Sequence, residues 1–240
     1  MIEKELFERL QQQYSSIISN IIKSDVRFYR TNQTIQWRFG YDERVAIFAW
    51  CDRKTNIVTV NIAAVDFSFQ QNEPLHIEYF LLHEIRHIYQ HLEIEDYRKD
   101  PTKCNNAELA KKWSEEENNY VTALNKEGKE NRGYFMQDME MDAFAYAYAV
   151  MMYKYGEVKY LYVPKAYQNN EFDRIVNEWQ VSFKNEGAVN GNESVAISYV
   201  IAKVVEKALF SVLFSHISVL QRLERADRKH KNANGKCFRS

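Results

Sequence analysis

The segment Phe80–Gln90, which reads FLLHEIRHIYQ, is the most informative part of this 240-residue chain. It contains no helix breaker, and its apolar residues recur at three- and four-residue spacings, which predicts an α-helix. With about 100° per residue, His83 and His87 lie one turn apart and about 40° apart around the axis, so both imidazoles can bind one metal ion. Glu84 projects to the side of that face, which suits a general base for a metal-activated water.

This HExxH spacing needs support from its surroundings, because chance produces it in about one chain in a hundred of this composition. Four apolar residues lie opposite the histidines on the helical wheel: Leu81, Ile85, Ile88 and Leu92. One face of the helix therefore packs on a core, and a second face carries the histidines. Tyr79 and Phe80 lie beside that second face, which a solvated polar stripe would not predict.

A metal ion held by two imidazoles needs a third protein ligand, and a catalytic site leaves a fourth position for water. A later predicted helix begins with three carboxylates, Asp138, Glu140 and Asp142, and then becomes apolar and rich in alanine. The helix dipole favours acidic residues at such a position. Burying an ionised carboxylate is costly unless a cation compensates it, so a metal ligand accounts for more of this pattern than the dipole does.

An HExxH helix followed by a helix with the pattern E-x-x-A resembles the gluzincin branch of zinc metallopeptidases, and is most similar to the ImmA/IrrE family and to CAAX prenyl proteases. The matching strings are His83–His87 and Glu140–Ala143, and the resemblance covers about residues 56–155. It implies an α+β, mainly helical zincin-like core with a small sheet. It also implies a peptide or protein substrate, Glu84 as the catalytic base, and one Zn²⁺ ion bound by His83, His87 and Glu140.

A second assignment of the third ligand stays open, in which Asp138 binds the metal and Asp142, one turn later, supports it. Related patterns often place Asp or Asn four residues after the glutamate, where it orients a ligand histidine. Here that residue is Phe144. The hydrogen bonds that orient the histidines must then come from other residues.

Several neighbouring residues are candidates for contacts to the ligands or to the substrate. Arg86 stands where relatives often have a small residue, and we expect its guanidinium to pair with Glu84, with a substrate carboxylate or with water. Gln90 lies on the histidine side of the helix and is a second candidate. His91 is too far along the helix to share the ion and is expected at the surface. Candidate oxyanion donors are three tyrosines: Tyr120, Tyr134 and Tyr148.

Apolar periodicity and breakers predict the elements around this helix. A hairpin is predicted from strands at 44–51 and 56–65, and further helices at 3–23, 75–95, 106–126, 136–155 and 171–183. Residues 1–184 are the predicted zincin-like domain. A linker rich in glycine and asparagine follows at 185–194, and then a C-terminal helix with a basic tail at 195–240.

Composition and charge narrow the choice of partners and compartment. A net charge of −1 offers no bulk attraction to nucleic acid, and the basic tail has a single aromatic residue, so no nucleic-acid partner is expected. The most apolar stretch is free of charged residues only over 208–220, which is too short for a membrane span of about 20 residues. The three cysteines are an odd number without CxxC spacing, so they do not form a disulfide framework. The N-terminus lacks the apolar run of a secretory signal peptide, and both features predict a cytoplasmic protein. The C-terminal helix is expected to form a homo-oligomer contact or to pack on the first domain.

Three functions fit these residues. The first is a zinc metalloendopeptidase. The second is a zinc-containing regulatory or interaction module, of the toxin–antitoxin or phage-regulator kind, with one dedicated protein target or no turnover. The third is a helical binding protein without a metal. Glu84 favours the first, because a purely structural site has no use for a general base.

Overall fold

The computed structural model describes residues 2, 4–25, 28, 33–124, 131–156, 158 and 161–185. These residues are α+β and mainly helical, which confirms the predicted fold class at that level. The predicted C-terminal helix, and the predicted linker beyond Asn185, lie outside the described residues. In chain order the elements are α1 (Lys4–Asp25), β1 (Gln36–Gly40), β2 (Ala49–Asp52), β3 (Ile57–Asn61), α2 (Ile62–Gln70), α3 (Leu75–Lys99), α4 (Ala107–Asn118), α5 (Asp138–Tyr155) and α6 (Asn170–Asn185).

The described sheet has the strand order β1-β3-β2. β2 and β3 are antiparallel and form the predicted hairpin, with Asp52 opposite Ile57 next to the turn. β2 begins at Ala49, so the first predicted strand, at 44–51, began five residues too early. β1 is parallel to β3, and the sequence pattern did not predict it. A five-residue segment that ends in glycine gives little strand signal, and its pairing partner lies far along the chain. β2 is consequently an edge strand of this sheet.

The second hairpin strand ends at Asn61, so the predicted strand over residues 56–65 was too long. The Asn61 side chain accepts from the Ala63 amide at 3.2 Å and caps α2. Its Nδ2 donates to the carbonyl oxygens of Asp42 and Ile47 at 3.0 and 2.8 Å. The apolar run at 62–65 is compatible with a buried strand or a buried helix by pattern alone, and this cap makes it a helix.

The helices follow their predicted positions more closely than the strands do. α3 begins after Pro74 and runs to Lys99, about one turn past the predicted end. α4 ends at Asn118, well before residue 126. Just after it, the backbone amide and carbonyl of Val121 bond to the side chain of Gln137 at 2.8 and 3.0 Å, which takes the place of helical hydrogen bonds.

α3 packs against α5 in the described core. α5 carries four fully buried alanines, whose small side chains allow neighbouring helices to approach closely: Ala143, Ala145, Ala147 and Ala149. A buried ion cluster of Asp25, Glu78 and Lys154 joins α1, α3 and α5. Within the described part of the chain, no helix combines the length and apolar character that a membrane crossing requires.

Candidate metal centre

α3 brings both histidines of the HExxH segment to one place. His83 and His87 are 2% and 8% exposed, and their Nε2 atoms lie 3.1 Å apart. The one-turn spacing thus directs both imidazoles at a common point. Behind them, the ring of Phe144 packs on His83 with 4.2 Å between centroids, and Gln90 contacts His87.

Glu140 lies in the first turn of α5 and is fully buried. Its Oε2 atom is 3.4 Å from Nε2 of His83, and its Oε1 atom is 3.5 Å from Nε2 of His87. The three side chains form a group whose ligand atoms all lie within 4.8 Å of one another, and this group could hold a metal ion. Oε2 accepts no hydrogen bond from a described residue, which is costly for a buried carboxylate oxygen unless a cation compensates it.

The start of α5 determines which carboxylate joins the histidines. Asp138 is exposed and lies outside the three-residue group, so the geometry favours Glu140 over the alternative assignment. The backbone amides of Asp138 and Met139 donate to the carboxylate of Glu116 at 2.6 and 2.9 Å. Glu116 of α4 therefore caps α5, since Gln137 makes no side-chain cap of its own. This cap fixes the point from which Glu140 projects.

A hydrogen-bond chain behind His87 selects the tautomer of its ring. Gln90 Nε2 donates to Asp142 Oδ2 at 2.8 Å and to the carbonyl oxygen of Met139 at 2.9 Å. With its amide hydrogens used there, Gln90 presents Oε1 to Nδ1 of His87, 2.7 Å away. Nδ1 then carries a proton, and Nε2, which faces His83, is the ring nitrogen that can bind a cation. Gln90 and Asp142 thus supply the orienting contacts that Phe144 cannot.

Arg86 lies outside the cavity, contrary to the expectation that it pairs with Glu84, with substrate or with water. Its guanidinium is 2% exposed and donates to Asp142 through Nε at 2.8 Å and through Nη2 at 3.3 Å. The ion pair places a compensating positive charge next to the carboxylate that supports Gln90. Aromatic rings surround the guanidinium: Tyr89, Trp113, Tyr146 and Trp179.

A cavity of about 360 Å³ adjoins the three-residue group. Glu84 lines it together with the two histidines and is not a member of the group itself. Its Oε1 atom is 4.0 Å from Nε2 of His83. Burial raises the pKa of Glu84 above its ordinary value, against the opposing effect of the histidines. The carboxylate of Glu84 therefore binds a proton more tightly than an ordinary glutamate does, at the edge of the three-residue group.

Glu140 controls the charge of the histidine beside it. Burial opposes a charge on His87, but the charge and hydrogen bond of Glu140 outweigh burial and raise the pKa of His87 to about 9. Burial likewise opposes ionisation of Glu140, and the two histidines still hold its pKa well below the ordinary value. The group consequently attracts positive charge to the point between its three side chains.

Tyr120 reaches the group from the segment that follows α4. Its hydroxyl donates to Oε1 of Glu140, and its ring lines the cavity. Burial and the neighbouring Glu140 carboxylate raise the pKa of Tyr120 above its ordinary value, so the hydroxyl keeps its proton. The bonds between Gln137 and Val121 hold this segment next to the start of α5. Tyr120 therefore orients the carboxylate from the cavity side.

The remaining candidates divide between the inside and the outside of the cavity. Tyr134 lines it, with 6.4 Å between its ring centroid and that of Tyr120. Tyr148 is not among the lining residues and packs on Phe172 of α6, so the structure removes it from the site. His91 lines the cavity and is 5% exposed, so the expectation of a surface histidine was wrong. Burial lowers the pKa of His91 to about 3, which keeps its ring neutral.

Two residues of the site were not predicted. Arg53 is one of four polar residues in the β2–β3 turn, and Glu116 is the middle one of three consecutive glutamates on α4. Their positions depend on tertiary contacts that no local pattern encodes. The available signal for Glu116 was indirect: Gln137 is a poor N-cap, so a cap from another element was needed.

Comparisons of the chain with protein-family models, with curated proteins and with solved structures found no match. The resemblance of the two motifs to gluzincins remains a prediction.

Proposed function

We propose that this chain is a zinc-dependent metallopeptidase that hydrolyses peptide bonds. The observation that carries the proposal is the convergence of His83, His87 and Glu140 from two helices, with Glu84 lining the same cavity. A structural zinc site uses its ligands but has no need of a further glutamate in the cavity wall beside them.

The donor set and its spacing support zinc. Two imidazole nitrogens and one carboxylate are an ordinary ligand set for this ion, with about 2.0–2.2 Å between metal and donor. Tetrahedral geometry then separates neighbouring donors by about 3.3–3.6 Å. The Nε2 atoms of His83 and His87 are 3.1 Å apart, and Glu140 approaches them through two different oxygens, with Oε2 at 3.4 Å from His83 and Oε1 at 3.5 Å from His87. One donor atom from each of the three residues lies within 4.8 Å of the other two, so a single ion of this size can reach all three.

Zinc held by these residues would supply Lewis acidity, polarising a substrate carbonyl and lowering the pKa of water. Glu84 accepts a proton from the attacking water at its carboxylate and returns it to the leaving amine. Its raised pKa suits the first transfer, because the conjugate base of a weaker acid is a stronger proton acceptor. Gln90 keeps the proton of His87 on Nδ1, and Tyr120 holds the carboxylate of Glu140 in position.

β2 offers the means of presenting a peptide. It is an edge strand of the described sheet, and Ala49, Trp50 and Cys51 line the cavity. An extended peptide can add to such an edge through main-chain hydrogen bonds. Its backbone then runs along the cavity that Glu84 lines.

The test is Glu84→Gln in the zinc-loaded full-length chain, with Glu95→Gln on the exposed face of α3 as the matched control. Cleavage of a degenerate peptide pool is followed by mass spectrometry of the new termini. We expect Glu84→Gln to cleave at least about a hundredfold more slowly, because it has lost the general base. Glu95→Gln should match the wild type, and all three proteins should bind zinc equally. Equal cleavage by Glu84→Gln and wild type, or no cleavage by zinc-loaded wild type, contradicts the proposal.

A further inference from the structure

The cavity wall contains a guanidinium that the proposed mechanism does not use. Arg53 lies in the turn between β2 and β3 and lines the cavity beside His91 and Tyr120. Within the described part of the chain it forms no ion pair and donates no hydrogen bond. Its guanidinium carbon lies 3.4 Å from the centroid of the Tyr120 ring. Because arginine stays charged at any working pH, this side chain gives the cavity a permanent cation.

The turn that carries Arg53 is held in place before any ligand binds. Oδ1 of Asp52 accepts hydrogen bonds from the backbone amides of Lys54 and Thr55 at 2.9 and 3.3 Å. Asn56 closes the turn in the left-handed region, with φ of 52°. Its Oδ1 atom lies 3.3 Å from Nδ1 of His91 on α3. A ligand of Arg53 therefore binds a preformed site and loses little affinity to ordering.

The cavity differs chemically on its two sides. On the His83 side lies an aromatic wall formed by Phe48, Phe80 and Phe144, in which Phe48 stacks on Phe80 at 4.7 Å and Phe144 packs on His83. On the His87 side lie Tyr120, the neutral His91 and Arg53. Among the described lining residues, Arg53 carries the only permanent positive charge. The three-residue group contacts the apolar side through Phe144 on His83, and the cationic side through the Tyr120 hydroxyl on Glu140.

We infer that the cavity selects an extended peptide that places a carboxylate on Arg53 and a large apolar side chain against the aromatic wall. This inference rests on the proposed function, because it assigns the two sides of the scissile bond. Arg53 is in this sense a residue that determines specificity.

The chemistry of Arg53 favours a carboxylate over a neutral polar group. Its planar fork can donate two parallel hydrogen bonds to the two oxygens. Tyr120 covers one face of the guanidinium, which leaves the N–H edge for the ligand. The carboxylate can belong to an Asp or Glu side chain or to the C-terminus of the peptide, and both sources have the same recognition chemistry.

The experiment measures binding separately from cleavage. Zinc-loaded full-length Glu84→Gln is immobilised and exposed to two degenerate peptide pools, one with free and one with amidated C-termini, and retained peptides are sequenced by mass spectrometry. Enrichment of Asp and Glu in the amidated pool identifies a side-chain carboxylate, and selective retention of the free pool identifies a C-terminal one. In both cases we expect large apolar residues to be enriched. Adding Arg53→Ala should reduce the carboxylate preference about tenfold or more.

Lys54→Ala in the same background is the matched control, because Lys54 is an exposed cation of the same turn and does not line the cavity. It should keep the full preference. The inference is overturned if the retained peptides show no preference for a carboxylate or for large apolar residues. It is also overturned if Arg53→Ala leaves the carboxylate preference unchanged, even when the wild type hydrolyses peptides. Retention that depends on Arg53, combined with no cleavage by the wild type, supports carboxylate recognition and removes the proposed function.

Discussion

At the scale of single residues, Asp142 connects one of the candidate histidine ligands, through Gln90, to the buried guanidinium of Arg86. Its carboxylate accepts from Gln90, which orients His87, and from the buried guanidinium of Arg86. Removing one partner of a buried ion pair leaves the other charge uncompensated, and this costs far more than the loss of an exposed pair. The residue is thus expected to affect stability and metal binding together.

We predict that Asp142→Ala lowers the free energy of unfolding by about 3–5 kcal/mol, measured by urea denaturation, because Arg86 stays buried without its partner. Zinc affinity, measured by chelator competition, should fall about ten- to a hundredfold, because Gln90 loses its anchor. Asp138→Ala is the control, since this residue is exposed one turn earlier on α5, and it should change stability by less than about 1 kcal/mol. Equal stability losses in the two variants would be incompatible with this role.

Helical geometry was sufficient to predict that His83 and His87 face one point, because the spacing fixes their angle on α3. It could not predict the contacts of Arg86, because a helical wheel gives a direction but not the neighbour found there. The surface prediction for His91 failed for the same reason: α3 is buried around most of its circumference, and the turn at Asn56 covers that histidine.

At the scale of elements, Asn61 determines where the sheet ends and α2 begins. Its side chain is fully buried and joins the N-terminus of α2 to the backbone before β2. The strand prediction failed here because a run of apolar residues has no periodicity that distinguishes a buried strand from a buried helix. α3, α5 and α6 were predicted well because their patterns are long and their ends are marked by Pro74, Gly156 and polar residues.

Asn61→Ala is expected to destabilise the protein by about 2 kcal/mol or more, because it removes a helix cap and leaves buried backbone groups without partners. Asn106→Ala provides the comparison: Asn106 caps α4 by accepting from the Leu109 amide at 3.0 Å, but it is exposed. Water can replace that bond, so a loss of about 1 kcal/mol is expected. Urea denaturation of both variants measures the difference, and a smaller loss for Asn61→Ala than for Asn106→Ala would refute the argument.

At the scale of the whole molecule, the ion cluster of Asp25, Glu78 and Lys154 holds three helices of the described core together. Lys154 contacts both carboxylates, and the Tyr155 hydroxyl donates to Glu78 at 2.8 Å. Burial raises the pKa of Asp25 well above its ordinary value, and Glu78 adds to this while Lys154 opposes it. The cluster therefore makes stability depend on pH.

Proton linkage gives the direction in which the stability changes with pH. The folded state binds the proton of Asp25 more tightly than the unfolded state does. The resulting stabilisation of the folded state is complete below the ordinary aspartate pKa of about 4, and it is lost as the pH rises through the higher pKa that Asp25 has in the folded state. Asp25→Asn cannot titrate. We predict that the stability of the wild type relative to Asp25→Asn falls with rising pH, measured by urea denaturation from about pH 4 upward. A constant or rising difference would show that Asp25 does not titrate in this way.

The fold class was predictable because long amphipathic helices dominate the first 185 residues, whereas β1 and the caps depend on contacts between distant segments. The same distinction applies to the candidate metal centre. Its three candidate ligands lie on helices that the sequence pattern predicts, whereas no local sequence pattern marks Arg53 or Glu116.

Metal analysis of the purified full-length chain addresses whether His83, His87 and Glu140 hold zinc. We expect about one equivalent of zinc per chain in the wild type and in Asp138→Ala, because Asp138 lies outside the group. All proteins are loaded with zinc and then dialysed. Glu140→Ala should lose most of its zinc during dialysis, because two imidazoles alone bind the ion weakly. A wild-type chain that retains no zinc after reconstitution, or a Glu140→Ala variant that retains as much as the wild type, would contradict a zinc site built from these three residues.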